Sequence, residues 1–171
     1  APLYIVRDGE SLRDGMEFRP LDIFVYVVKT GKLLKTSAVS VEDYISLFRR
    51  LTQDGSEVVH ITISAEMSAC YQNACLAAQE VPGVFPVDSR NLSTGMGLVV
   101  IEAAKRAQAG EDGAAIQKAM NALTLRIEAS FVIERLDYLY KGGRCSALAA
   151  LGANILHLKP CIEGRNGKMG V

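Results

Sequence analysis

The sequence lacks a net charge. Its 171 residues hold 19 Lys and Arg against 19 Asp and Glu. That balance removes the electrostatic reason to expect a nucleic acid or an anionic membrane as partner. A long apolar run is also missing. Although 49% of the residues are hydrophobic, no stretch approaches the ~20 residues that cross a bilayer. Nor does the chain open with the charged-then-apolar pattern of a secretory signal. Metal-ligand spacing is absent too. The four cysteines, Cys70, Cys75, Cys145 and Cys161, form no CxxC, and both histidines, His60 and His157, lie inside apolar segments. A zinc site is therefore not expected. The thiols read as reduced, small packing groups of a cytoplasmic protein. There is no GxGxxG or Walker sequence, no GxSxG elbow, no internal repeat and no low-complexity linker.

What is present is organised around residues 58–74, VVHITISAEMSACYQNA. The first six are β-branched or apolar apart from His60 and Thr62, the pattern of a buried parallel strand. From Ser68 the spacing of Tyr71, Ala74, Cys75 and Ala78 is helical. A strand, a hydroxyl-bearing loop and a helix form a common ligand-binding corner of an open α/β sheet. Before it, 3–6 reads as a strand ending in the turn Arg7-Asp8-Gly9, with a second break at Arg13-Asp14-Gly15. Residues 20–29 are ambiguous: 23–28 favour a strand by propensity, while Asp22 after Pro20 could cap a helix. Ser40 caps a predicted amphipathic helix over 41–52, with Glu42 and Asp43 in its first turn.

After the central stretch, Pro82-Gly83 is a turn and 84–87 a short strand, placed at or near an edge by Pro86. Residues 91–97, NLSTGMG, read as a loop leading into a helix that Gly110 ends. Asp112 caps the next helix, whose inner face carries Ile116, Met120, Leu123 and Ile127. Strands follow at 131–136 and 158–163, with a helix over 147–156 between them and a type I′ hairpin signal at Asn166-Gly167. The alternation predicts an α/β fold, a parallel sheet with helices on both faces over residues 1–129. Residues 130–171 read as the start of a smaller α/β second domain. Both ends are expected to be cut inside a longer fold.

The chemistry on offer is a set of hydroxyls in three loops: Thr36, Ser37 and Ser40; Ser64 and Ser68; Ser89, Ser93 and Thr94. In a parallel sheet these loops converge on one edge, where hydroxyls and free helix N–H groups suit an anionic oxygen. Each hydroxyl could equally be no more than a helix cap, worth ~1 kcal/mol. Ser64 or Ser68 as a nucleophile is the alternative, an esterase or acyltransferase, but both histidines lie in segments predicted to be buried. Lys141-Gly142-Gly143-Arg144 pairs two cations with a flexible backbone, either as a solvated turn or as a contact for a phosphate or an acidic protein surface.

Taken in order, KTSxxS at 35–40, ITISxxMSxxYQNA at 61–74, VDS at 87–89, STGMG at 93–97, LxYLxKGGR at 136–144 and LKP at 158–160 resemble the DegV family. This family includes the fatty-acid-binding subunit of bacterial fatty acid kinase. The resemblance spans essentially the whole chain. It implies a two-domain α/β protein that buries a long-chain fatty acid in an apolar tunnel and holds its carboxylate at the domain junction. It assigns the carboxylate to Thr36 and Ser37 and to the loop carrying Ser64 and Ser68. It makes Arg144 a candidate contact for a partner or for the acyl phosphate. The implied partner is an ATP-dependent fatty acid kinase subunit, and the chain itself is a non-catalytic carrier with a ligand but no cofactor. The sequence departs from the family pattern at Ala65 and Cys70, where a serine and a threonine are usual, and at Cys145. The resemblance also favours a helix over 20–29. Ile63, Met67, Met96, Leu98 and Leu136 are candidates to line an apolar slot.

Overall fold

Two strands set the frame of the computed structural model, which describes residues 3–134, 136–143 and 159–170. Strand β4 (Val58–Thr62) and strand β5 (Val84–Asp88) pair in parallel, from Val58 opposite Val84 to Thr62 opposite Asp88. Because side chains alternate across a strand, the pair feeds two separate cores. On one face Val58 and Val84 join Val39, Tyr44, Phe48, Cys70, Ala74, Ala77 and Val81 under helices α2 (Val41–Leu51) and α3 (Cys70–Glu80). On the other, Val59, Ile61 and Val87 meet Val99, Ala103, Ile116 and Met120 of helices α4 (Ser93–Gln108) and α5 (Gly113–Leu123). Helices thus cover both faces of the parallel pair. Phe48 and Met120 are almost wholly enclosed, and each such side chain contributes about 2–3 kcal/mol by leaving water.

Local sequence explains the helix ends. The Ser40 hydroxyl accepts from the Asp43 N–H at 3.1 Å, and Asp112 accepts from the Ala115 N–H at 2.7 Å, so each cap satisfies a donor that the helix cannot. Helix α5 begins on Gly113 for a steric reason. A Cβ there would fall 2.3 Å from a Phe85 ring carbon, while the Gly113 N–H donates to Glu57 at 2.6 Å.

Residues 20–29 resolve as helix α1 (Pro20–Thr30), against the β propensity of their apolar run. Pro20 occupies the first turn, Asp22 accepts from the Arg19 N–H at 2.9 Å, and Gly31 ends the helix at φ +67°. Start and stop signals outweigh intrinsic preference here. None of its residues is buried.

An antiparallel sheet precedes the parallel pair, in the order β2–β1–β3. Strand β1 (Tyr4–Arg7) turns through Asp8 and Gly9, at φ +48° and +93°, into β2 (Glu10–Arg13). That second strand was not foreseen from the sequence. Strand β3 (Lys35–Ser37) pairs with the other edge of β1, Thr36 opposite Ile5 and Ser37 opposite Tyr4. Thr36 and Ser37 therefore belong to a strand rather than to the expected loop. Tyr4 ties this sheet to α2 by donating to Asp43 at 2.8 Å.

The last described sheet runs β6 (Ser130–Val132), β7 (Cys161–Arg165), β8 (Lys168–Gly170), all antiparallel. Three expectations are corrected. The strand at 131–136 is short, because the chain turns so that Leu136 is buried with Ile162 ahead of helix α6 (Asp137–Lys141). The strand expected at 158–163 instead runs over β7. The loop over 91–97 is already helical from Ser93, with Gly95 in the first turn packed on Asn91, where a Cβ would meet its side chain at 2.4 Å. Asn166 and Gly167 form the expected turn at φ +51° and +79°. The expected helix over 147–156, and with it Arg144, Cys145 and His157, lies outside the described residues.

Candidate functional site

Strands β4 and β5 end side by side, so the loops after them, 63–69 and 89–92, share one edge. A mesh of hydrogen bonds joins them. The Ser64 N–H donates to the Asn91 carbonyl at 2.8 Å, and Asp88 Oδ1 accepts from both the Ala65 N–H at 3.1 Å and the Arg90 N–H at 2.8 Å. Ser89 is buried, accepting from the Asn91 N–H and donating to the Asn91 carbonyl. Ser93 and Thr94 are exposed at the start of α4.

The four serines and threonines assigned to carboxylate binding stand in different states. Ser64 is fully buried, and its hydroxyl donates to the Gly167 carbonyl at 2.6 Å. Ser68 is half-buried ahead of α3, accepting from the Cys70 N–H at 3.3 Å with Cys70 Sγ at 3.2 Å. Thr36 and Ser37 are exposed on β3, and Ser37 donates to the Ala38 carbonyl at 3.3 Å. The Asn73 amide, one turn into α3, donates to the Val39 carbonyl at 2.7 Å. That bond draws the segment after Thr36 and Ser37 against the helix that Ser68 precedes. Ser68 therefore precedes a helix to which Val39 is tied, while Ser64 is engaged with the hairpin tip. Arg144, the fifth assigned residue, lies outside the described residues.

The tail-lining candidates also divide. Ile63, Met67 and Met96 are half-buried. Leu136 is enclosed in the hairpin core, and Leu98 is 56% exposed on an open groove between α4 and α5 with Leu123 and Ile127.

Neither serine meets a histidine among the described residues. The ring of His60 is enclosed by Tyr44 and Phe48, with centroids 5.0 and 5.2 Å away, and its Nε2 is buried without a partner. Burial pushes its pKa down to about 4, so the imidazole is neutral at ordinary pH. Burial and the neighbouring Cys75 push Tyr71 up to about 12. Among the described residues no group of three acidic, His or Cys side chains could hold a metal ion, and no helix is long and apolar enough to cross a membrane.

Sequence reasoning missed the residues that hold the corner. Asp88, Asn91 and Gly167 make contacts across 23 to 103 positions. An Asp at the end of a strand and an Asn-Gly turn were visible, but not what they touch. The hairpin tip and Arg90 also line a cleft of about 720 Å³ with Glu128, Glu163 and Arg165.

Comparison with known proteins extends over the whole chain. The family described as "Uncharacterised protein, DegV family" matches residues 1–171. A DegV domain-containing protein of Caldanaerobacter subterraneus is 30% identical over 99% of this chain and 61% of its own length. One of Mycobacterium bovis is 34% identical over 98% and 59%. Among solved structures, a fatty-acid-binding DegV family protein from Thermus thermophilus superposes with a TM-score of 0.86 at 31% identity, over 99% of this chain and 61% of that one. A stearic-acid-binding protein from Eubacterium ventriosum gives 0.85 at 29% identity, with the same coverage. The chain thus spans 59–61% of the length of these relatives. With the whole sequence matched and the fold shared, the chain belongs to the DegV family.

Proposed function

We propose that this chain belongs to a non-catalytic carrier of long-chain fatty acid. The observation that carries the reading is the pair of fatty-acid-binding structures whose fold it shares at TM-scores of 0.85 and above. In this reading the carboxylate is held by the exposed hydroxyls of Thr36 and Ser37 and by Ser68 ahead of α3, because hydroxyl donors and a helix start suit a carboxylate. Ser64 enters through its loop, since its hydroxyl proton is already given to Gly167. The tail would lie along apolar side chains such as Ile63, Met67 and Met96. Each buried CH₂ contributes ~0.8 kcal/mol, so tail length dominates affinity and the hydroxyls set orientation.

In this proposal the protein is cytoplasmic and presents the acyl carboxylate to an ATP-dependent fatty acid kinase, which forms the acyl phosphate, and Arg144 contacts that partner or the phosphate. The lipid is the ligand, and no further cofactor is required. The deciding experiment is mass spectrometry of lipid extracted from the full-length protein. A co-purifying fatty acid is the expected result. Recovery of none, together with no uptake of added oleate, would sink the proposal.

A further inference from the structure

Ser64 sits at the centre of a contact that its assumed role does not need. Its hydroxyl donates to Gly167 at 2.6 Å, across 103 positions, and its oxygen accepts from the Glu66 N–H at 3.3 Å. Gly167 is left-handed at φ +79°, and a Cβ on it would lie 2.7 Å from Ser64 Oγ. Next to it, Lys168 Nζ lies 3.3 Å from the Glu66 carboxylate. From the opposite side Asp88 takes the Ala65 N–H and Asn91 takes the Ser64 N–H. Residues 64–66 are therefore held between the β7–β8 hairpin and the end of β5. The Ser68 N–H donates to the Ser64 carbonyl at 3.2 Å, so the place of Ser68 follows from that of Ser64.

We infer that the Ser64–Gly167 bond is a clasp, in which Ser64 is a positioning residue for Ser68 and the hairpin tip governs how long a bound fatty acid is retained. The inference rests on the fatty-acid reading of the site. Its physical basis is the asymmetry of buried polar pairs: removing the hydroxyl orphans the Gly167 carbonyl, and the loop relaxes to satisfy it. A group that only donated to the carboxylate would behave differently: its loss would quicken lipid release but leave the ligand-free loop as it was.

The test uses full-length protein carrying Ser64→Ala, Gly167→Ala and the double substitution, with two readouts. The first, without ligand, is hydrogen exchange of the Ala65, Met67 and Ser68 amides, leaving out Glu66, whose N–H loses its own acceptor in Ser64→Ala. The clasp predicts that each single substitution speeds exchange about ten-fold and that the double does no more than either. The second is release of a fluorescent 18-carbon fatty acid, expected to quicken by a similar factor in all three variants. Ser64→Thr, which keeps the hydroxyl, should restore both rates and carries the test if Gly167→Ala does not fold. Unchanged exchange in Ser64→Ala overturns the clasp. So does faster release in Ser64→Ala beside a silent Gly167→Ala, the pattern of a direct ligand contact. If wild-type protein takes up no fatty acid, the fatty-acid reading fails, while the exchange readout still decides the clasp.

Discussion

His60 packs half-buried against Tyr44 and Phe48 with its Nε2 enclosed and without a partner, so folding favours its neutral form. Its pKa is about 4 in the folded chain against an ordinary value of 6.5. The unfolded chain binds the proton first as pH falls, so stability is lost on going from pH 6.5 to pH 4 and is level above that window. The loss amounts to about 3 kcal/mol. Urea denaturation of wild type and His60→Leu at pH 7 and pH 4 should show wild type losing that much more than the variant; parallel pH profiles would refute the assignment. At the proposed site, Thr36→Ala and Ser68→Ala each remove one donor to a charged group. Fatty acid affinity should fall roughly 10- to 100-fold for each. Binding of the matching fatty alcohol should hold, and equal loss for both ligands would argue against a carboxylate contact. The sequence reads these residues as hydroxyls in loops before helices, which holds for Ser68, while Thr36 and Ser37 lie on β3. Their differing states were not legible, because Ser64 is committed by a partner 103 positions away.

At the scale of elements, the helices were the most legible, since their signals lie within a turn or two. Ser40 and Asp112 were identified as caps and act as caps. Ser40→Ala should lower stability by about 1 kcal/mol, measurable as a shift in urea midpoint without a change in slope. Gly113→Ala should cost more, by crowding the Phe85 ring and disturbing the bond to Glu57. Overpacking of this kind costs about 1–3 kcal/mol, and Phe85→Leu should recover part of it. The antiparallel strands were the least legible. Strand β3 is only three residues long and wholly exposed, so it carries no alternation to detect. What makes it a strand is the edge of β1, which local sequence does not encode.

At the scale of the molecule, the α/β class and the parallel pair were readable, because apolar strands alternating with helices have few other solutions. The pairing that joins the β7–β8 hairpin to the corner was not, since no residue's neighbours in sequence record it. Helix α1 adds a solution property. Leu21, Phe24 and Val28 are 60–85% exposed, an apolar strip of the sort that drives association. Leu21→Lys with Val28→Glu should raise the temperature at which the 171-residue chain begins to aggregate and leave its circular dichroism unchanged; an unaltered onset would show that the strip is inert. Finally, strands β4 and β5 give alternate side chains to two cores that share only the backbone between them. Inherited variation should follow that division. Substitutions at Val58 or Val84 should covary among relatives with those at Tyr44 and Phe48. Those at Ile61 or Val87 should covary with Ile116 and Met120, and the two blocks should drift independently of each other.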